Sequence, residues 1–278
     1  MSDLIRANRD ALTAADRRLA EVVLADPESV AFGTVAALAG AAGTSGASVV
    51  RFANRLGYDG FTELQAAVQA EVSGRLRPAV ERLRQPEVHD SLTRALDVEL
   101  DNVRLSLEKV DPRSLDHAVT RLAARTARVV VLPGSASFGV GHQFADQLGL
   151  LRDGVALAWG APASVTSSLA LLRTDDVVVA IDVPRYDRAL LDGVAYVAER
   201  RVPLIAITDS PLSPIGRRAT ITFAIASEGA GLFDSQVGAM AVANLLVAAV
   251  ARRLRASATR RLDRVEQAWR AADVVVDP

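Results

Sequence analysis

The 278-residue chain contains no cysteine, which excludes disulfides, cysteine nucleophiles and thiolate metal sites. It has a single lysine, Lys109, and its formal net charge of −1 gives no overall basic character. Residues 1–70 carry six arginines against eight carboxylates, which argues against an indiscriminate nucleic-acid binder. Any binding of DNA must therefore come from a local group of residues.

Motifs for catalysis, metals, cofactors and membrane insertion are also missing. The sequence has no HExxH, GxSxG, GxGxxG or P-loop pattern, so no catalytic residue, metal site or cofactor is predicted. The first ten residues lack the apolar run of a signal peptide. The apolar run Ser235–Ala251 is shorter than the ~20 residues of a membrane span, which favours a buried core helix. These features indicate a cytoplasmic protein without a membrane partner.

The stretch Thr34–Leu56 has the pattern of two helices joined by a tight turn. In its first part, apolar residues recur at the spacing of one buried helical stripe: Val35, Leu38, Ala39 and Ala42. Gly43 is suited to end this helix because glycine adopts positive φ easily. Ser45 is a good N-cap for the next helix. The pattern predicts a helix-turn-helix unit.

The second helix of this stretch is predicted to have one polar and one apolar face. Counting about 100° per residue from Thr44 places four polar side chains together: Thr44, Ser48, Arg51 and Arg55. The same count assigns four apolar residues to the opposite, packed face: Val49, Val50, Ala53 and Leu56. Arginine binds guanine or phosphate, and no acid occurs in residues 31–58. Two interpretations stay open, a DNA-reading helix and an ordinary amphipathic helix with solvated arginines.

The texture of the sequence changes after residue 110. Five apolar runs, separated by helical patterns, occur at 129–133, 155–159, 176–182, 202–208 and 219–225. Strands that alternate with helices and are buried on both faces predict a doubly wound α/β domain with a five-stranded parallel sheet. The predicted organisation is a helical domain at 1–75, a linker and helix at 76–110, and the α/β domain at 111–278.

Ligands of such sheets bind beyond the carboxyl ends of the strands. Loop 133–139 has a glycine and two serines before a helix, which suit an anion or a simple capped turn. Loop 182–188 has two arginines, Arg185 and Arg188, that are able to clamp an anion or to pair with Asp182 and Asp187. Loop 208–214 adds further hydroxyls. The candidate ligand-binding residues are Gly134, Ser135, Ser137, Arg185, Thr208 and Ser210.

Both halves of the sequence resemble the RpiR family of bacterial transcriptional regulators. The segment 12–65, from LTAADRR to FTELQ, is similar to the family's N-terminal pattern nearly throughout. Residues 112–250 resemble the family's sugar isomerase (SIS) domain in strand order, in PGSASFG (133–139) and in ITDSPLSPIGRRAT (207–220). The resemblance implies a helix-turn-helix coupled to a SIS domain that senses, rather than converts, a phosphorylated sugar.

One segment departs from the family pattern. The second phosphate loop of the family usually reads Ser-x-Ser-Gly-x-Thr, whereas residues 182–187 read Asp-Val-Pro-Arg-Tyr-Asp. The hydroxyls that cradle a sugar phosphate are therefore missing there. The alternatives are a different anion held by Arg185, a non-phosphorylated molecule, or no ligand.

The sequence thus predicts a regulator that binds a double-stranded DNA operator as a homodimer or homotetramer. The predicted DNA contacts are Thr44, Ser45, Ser48, Arg51 and Arg55. The predicted effector is a small anionic metabolite, a sugar phosphate being one candidate. The protein is not expected to be an enzyme; the alternative is a sugar-phosphate isomerase of the same SIS fold, which would need a general base near the sugar C1–C2.

Overall fold

The computed structural model describes residues 1, 4–5, 12–25, 27–75, 80 and 92–274. The chain divides into two compact units, Met1–Glu87 and Val88–Pro278. This division falls inside the segment 76–110 that the sequence assigns to a linker and a helix. Most of that predicted linker lies outside the described residues.

The first unit is helical. Its described helices are α1 (Ala14–Ala25), α2 (Pro27–Phe32), α3 (Val35–Ala41), α4 (Gly46–Arg55) and α5 (Phe61–Arg75). Helix α2 begins at Pro27. Proline is well tolerated at the first position of a helix, where its missing N–H needs no partner.

The helices of the first unit enclose one hydrophobic core. Its fully buried side chains include Leu19 of α1, Val49 and Phe52 of α4, and Leu64 of α5. Each fully buried leucine or phenylalanine contributes roughly 1.5–3 kcal/mol to the free energy of unfolding through burial of apolar surface. This core therefore fixes which face of α4 points towards solvent.

The second unit is a three-layer α/β structure. Its helices are α6 (Leu92–Glu108), α7 (Pro112–Leu122), α8 (Phe138–Leu151), α9 (Pro162–Ala170), α10 (Arg188–Glu199), α11 (Val237–Arg253) and α12 (Arg255–Ala271). The strands are β1 (Val129–Pro133), β2 (Val155–Leu157), β3 (Val177–Ile181), β4 (Leu204–Thr208) and β5 (Ile221–Ala224). They form one parallel sheet in the order β2-β1-β3-β4-β5. The predicted five-stranded doubly wound sheet is confirmed.

The sheet is buried because helices cover both of its faces. Every residue of β1, β3 and β4 is buried, and two separate apolar clusters lie on the two sides. Strand β2 lies at the edge and is only partly buried. Since all strands run parallel, the loops at their carboxyl ends share one edge of the sheet.

Helix α6, predicted within the linker segment, packs in the second unit. The side-chain amide of Asn102 donates to the carbonyl of Glu228 at 2.7 Å and its oxygen accepts the N–H of Glu228 at 3.1 Å. Ser106 adds a hydrogen bond to the N–H of Ala226 at 2.9 Å. These buried contacts fasten α6 to the loop after β5.

Helix α11 coincides with the apolar run predicted to be a core helix. Its inward face is buried, including Val242, Leu246 and Val250. Among the described residues no single helix is long and apolar enough to cross a membrane. Two pairs of helices, α3 with α4 and α11 with α12, are long and apolar enough only when the two helices of a pair are counted together, and each pair is sharply bent between its helices.

Candidate functional site

The turn between α3 and α4 is built as the sequence predicts. Gly43 has a φ of 58°, in the left-handed region that glycine adopts without strain. The N–H of Thr44 returns to the carbonyl of Ala39 at 2.8 Å, which ends α3. The hydroxyl of Ser45 accepts the N–H of Ser48 at 3.3 Å and caps α4.

The packed face of α4 differs from the predicted one at two positions, Val50 and Phe52. Val49, Phe52 and Ala53 are fully buried, whereas Val50 is 40% exposed. The assignment of Val50 to the packed face is therefore wrong. The predicted face omits Phe52, whose large buried ring helps to centre the packed face.

The solvent side of α4 carries a short chain of polar contacts. The hydroxyls of Ser45 and Ser48 are 3.1 Å apart, and Arg51 Nη2 donates to Ser48 Oγ at 3.0 Å. Ser45 and Arg51 are exposed and Ser48 is half-buried. Together with exposed Val50, these residues form what we call the outer face of α4: Ser45, Ser48, Val50 and Arg51.

Two predicted DNA-binding residues lie differently. The Arg55 guanidinium donates to the buried carboxylate of Asp16 and, at 3.2 Å, to the hydroxyl of Thr13. Arg55 therefore ties α4 to the capped start of α1. Thr44 is half-buried, and its hydroxyl has no hydrogen-bond partner within the part of the chain that the structure describes.

At the carboxyl edge of the sheet, Asp182 occupies the space beside the first loop. Its side chain follows β3, is 2% exposed and accepts the N–H of Asp187 at 2.8 Å. The hydroxyl of Ser137 lies 3.4 Å from its other oxygen. A Cβ built on Gly134 would overlap this carboxylate, so Gly134 is needed for the close approach of the two loops.

The pKa values of the two carboxylates of loop 182–188 are shifted in opposite directions. Burial raises the pKa of Asp182 to about 6, because the charged form loses water, although hydrogen bonds from backbone N–H groups oppose the shift. The hydroxyl of Ser135 donates to Asp187 and lowers the pKa of that group. Asp187 also caps α10 by accepting the N–H groups of Ala189 at 2.8 Å and Leu190 at 3.4 Å. The N-terminus of α10 is thus occupied by the chain's own carboxylate.

Of the two arginines of loop 182–188, Arg188 pairs with Asp192 at 3.1 Å, and Arg185 lies apart from this pair. Arg185 is exposed, and its φ of 70° places it in the left-handed region. Its guanidinium makes no hydrogen bond or ion pair with any residue that the structure describes, so it does not pair with Asp182 or Asp187. An unpaired guanidinium on a strained turn is able to receive a ligand anion.

The loop after β4 adds polar groups that are already engaged. Thr208 is fully buried and donates to the carboxylate of Asp209 at 3.0 Å. The Tyr186 hydroxyl donates to the same carboxylate. The hydroxyl oxygen of Ser210 accepts the N–H of Leu212 at 3.1 Å. The structure therefore brings all six predicted ligand residues to the loops of one edge, with their hydroxyls bonded inside the protein.

Sequence reasoning missed one group near this edge. Gln236, at the start of α11, places its amide oxygen 3.1 Å from the hydroxyl of Ser137. Its amide nitrogen is buried and has no partner among the described residues. No local signal marks Gln236, because its neighbour Ser137 lies 99 positions earlier in the chain. In the described parts of the chain, no group of three or more metal-ligating side chains is placed to hold a metal ion.

Comparison with known proteins assigns both units. Residues 1–75 match the helix-turn-helix domain of the rpiR family, and residues 122–249 match the SIS domain. The HTH-type transcriptional regulator HexR of Pseudomonas aeruginosa is 27% identical over 225 residues, which cover 78% of this chain and 75% of HexR.

Solved structures agree with this assignment. The sugar isomerase domain of an RpiR transcription factor from Sphaerobacter thermophilus is 31% identical, with a TM-score of 0.59, and the match covers 63% of this chain and 97% of that one. The NanR protein of Vibrio vulnificus is 20% identical with a TM-score of 0.59, and the match covers 99% of each chain, which shows the same fold in both units. The chain therefore belongs to the RpiR family of helix-turn-helix transcriptional regulators, in which a DNA-binding unit precedes a SIS domain.

Proposed function

We propose that the outer face of α4 reads a DNA operator and that the carboxyl-edge loops of the SIS domain bind a small anionic metabolite that changes operator affinity. One observation carries the DNA-binding part. Ser45, Ser48 and Arg51 form a continuous exposed chain of hydrogen bonds on a helix whose other face is buried. No carboxylate occurs in residues 31–58 to repel phosphate.

Each side chain of the outer face has a suitable role in a major groove. Arg51 is able to fork onto the O6 and N7 atoms of guanine, and its bond to Ser48 holds the guanidinium in place before contact. Val50 supplies methyl groups that match a thymine methyl. Ser45 and Thr44 lie at the N-terminus of α4, where backbone N–H groups favour a phosphate.

Arg55 has a second role in this proposal. Its ion pair with Asp16 fixes the angle of α4 on α1, and its side chain remains 44% exposed. A phosphate contact by Arg55 would therefore share the guanidinium with Asp16. We assign Arg55 mainly to positioning α4.

The net charge of the chain implies that one helix-turn-helix unit alone binds DNA weakly. The net charge of −1 provides little general attraction to DNA, so useful affinity needs two readers on two half-sites. We therefore propose a homodimer or homotetramer that binds a pseudo-palindromic operator in the cytoplasm.

The effector proposal depends on Arg185 and the first loop. The NanR structure is a complex with ManNAc-6P, a phosphorylated amino sugar. Here the unpaired Arg185 provides a cation, and Gly134 to Ser137 lead into the N-terminus of α8. Thr208 and Ser210 support this site from within the protein, because both are buried and their hydroxyls are bonded inside it. Carboxylates such as Asp209 are able to accept the hydroxyl hydrogens of a sugar. A hydroxylated metabolite with one anionic group fits this combination, and sugar phosphates are the first candidates.

The DNA-binding proposal is tested with Arg51→Ala in a gel-shift assay on an operator that the wild-type protein selects from random DNA. Loss of a bidentate guanine contact should weaken binding at least about tenfold and relax base preference at one position. Arg104→Ala is the matched control, because Arg104 is exposed and pairs with Glu108 of its own helix in the second unit. Unchanged affinity and base preference for Arg51→Ala would refute the assignment of α4.

The effector proposal is tested by titrating sugar phosphates into the protein–operator complex. A matching metabolite should shift operator affinity in the wild type, and Arg185→Ala should lose the shift while keeping its affinity for free operator. Measurable turnover of the same sugar phosphate would instead support the isomerase alternative. Binding without any product is the result expected of a sensor.

A further inference from the structure

The second unit contains a cavity far from the proposed effector loops. It has a volume of about 640 Å³ and lies between the segment before β1, the C-terminal end of α8 and the middle of α12. Helix α8 has 14 residues and begins at the effector loops, so about 21 Å separates its two ends. We call this space the arginine cavity because five arginines line it: Arg125, Arg152, Arg260, Arg261 and Arg264.

Two of these arginines are built into the wall. Arg152 is 7% exposed and donates to the carbonyl of Leu122 at 2.6 Å and to that of Asp153 at 2.8 Å. Burial lowers the pKa of Arg152, because its charge has lost water. Arg261 donates to the carbonyl of Gly149 at 3.0 Å and pairs with the Asp153 carboxylate. The wall therefore holds one buried cation whose hydrogen bonds all go to neutral carbonyls.

The other three arginines are unpaired. Arg125, Arg260 and Arg264 are exposed, and their side chains make no hydrogen bond or ion pair with the residues that the structure describes. Arg260 and Arg264 lie one helical turn apart on α12, a spacing at which like charges repel each other. The lining as a whole has five arginines and two aspartates, a formal charge of +3 in a chain of net charge −1.

We propose that the arginine cavity binds a small phosphate-bearing anion, at a site separate from the effector loops. Planar guanidiniums match phosphate oxygens with paired hydrogen bonds, and three unpaired guanidiniums provide them around one concave space. The volume is within the usual range of small-molecule sites. A bound dianion relieves the repulsion between Arg260 and Arg264 and offsets the charge of buried Arg152.

The proposal is tested by calorimetric titration of the full-length protein with inorganic diphosphate. The wild type should bind about one diphosphate per chain in this cavity. The double variant Arg260→Ala/Arg264→Ala should bind at least about tenfold more weakly, since charge-assisted hydrogen bonds to phosphate are lost. Both side chains are exposed and unpaired, and alanine favours helix, so the variant should fold.

Two control variants distinguish binding inside the arginine cavity from binding elsewhere on the chain. Arg255→Ala/Arg270→Ala removes the same charge from α12 outside the cavity and should bind diphosphate as the wild type does. Arg185→Ala should also keep this binding, because Arg185 belongs to the opposite edge. Organic diphosphates that bind more tightly than inorganic diphosphate would identify a metabolite as the source of the phosphate, and equal affinity would identify the free ion.

Three results would overturn the proposal. First, the proposal is wrong if titration of the wild type with diphosphate shows no saturable binding. Equal weakening in both α12 double variants would show a general charge effect. The third result has two forms, both with a wild type that does not bind diphosphate. If Arg260→Ala/Arg264→Ala binds DNA of any sequence more weakly, the arginines contact DNA. If the same variant forms a smaller oligomer, they contact a second copy of the chain.

Discussion

Replacing Asp182 with asparagine should change how the stability of the SIS domain depends on pH. Asparagine keeps the shape of the side chain and an oxygen that accepts the N–H of Asp187. It removes the carboxylate, whose pKa burial raises to about 6 from an ordinary value of 3.8. The new amide group does not titrate, so its own effect on stability is the same at every pH. The pH dependence of the stability difference therefore reports only the loss of the carboxylate charge.

The sign of the effect follows from the raised pKa. In the wild type, the folded state binds the Asp182 proton more tightly than the unfolded state, so this group stabilises the fold at low pH. The contribution is lost as the pH rises through about 6. At a pH well below 3.8 the raised pKa stabilises the folded state by ~3 kcal/mol. At about pH 5 the stabilisation is about 1.4 kcal/mol. Asp182 is 2% exposed, so screening by solvent is small.

The measurement is chemical denaturation of full-length wild type and Asp182→Asn at about pH 7.5 and about pH 5, following the transition of the second unit. Relative to wild type, the variant should lose about 1.4 kcal/mol of stability on going to the lower pH. Asp192→Asn is the control, because it removes a carboxylate from an exposed position of α10. A stability difference for Asp182→Asn that stays constant between the two pH values would refute the burial argument.

Two further substitutions test contacts that support the two sites. Asp16→Ala should lower the free energy of unfolding of the first unit by roughly 1–3 kcal/mol, because it removes the partner of Thr13 and Arg55 at the start of α1, as measured by urea denaturation. Gly134→Ala should destabilise the second unit by roughly 1–3 kcal/mol, because its Cβ overlaps the Asp182 carboxylate; thermal melting should show partial recovery when Asp182→Ala is added, and no recovery would contradict the overlap.

The sheet was predictable because its signal is local. Runs such as VVVLP and DVVVAID are continuous and apolar, which is typical of strands covered on both faces, and β1 and β3 are buried at every position. The turn at Gly43 and the cap at Ser45 were also predictable, since each depends on a property of one residue. Helix α2 was not, because six residues are too few to show a helical period.

The orientation of α4 was only partly predictable. A helical wheel gives the angles between side chains, but it does not say which angle points into the core. That choice belongs to packing against α1, where Phe52 and Val49 are fully buried. Val50 consequently faces solvent, and Arg55 reaches Asp16, which lies 39 positions earlier. The sequence of α4 alone therefore predicts neither the exposure of Val50 nor the pairing of Arg55 with Asp16.

The effector loops show the same limit and also restrict the ligand. The sequence alone indicates that a carboxylate replaces a hydroxyl at position 182, but only the fold shows that this carboxylate lies against Gly134 and holds the N–H of Asp187. Because Asp187 caps α10, a phosphate cannot use that helix N-terminus unless Asp187 leaves it. We expect an anion to bind instead between Arg185 and the first turn of α8. An anionic effector whose own charge does not change in this range, such as a sulfate ester, should bind there more strongly when Asp182 is protonated, so its affinity should rise as the pH falls through about 6.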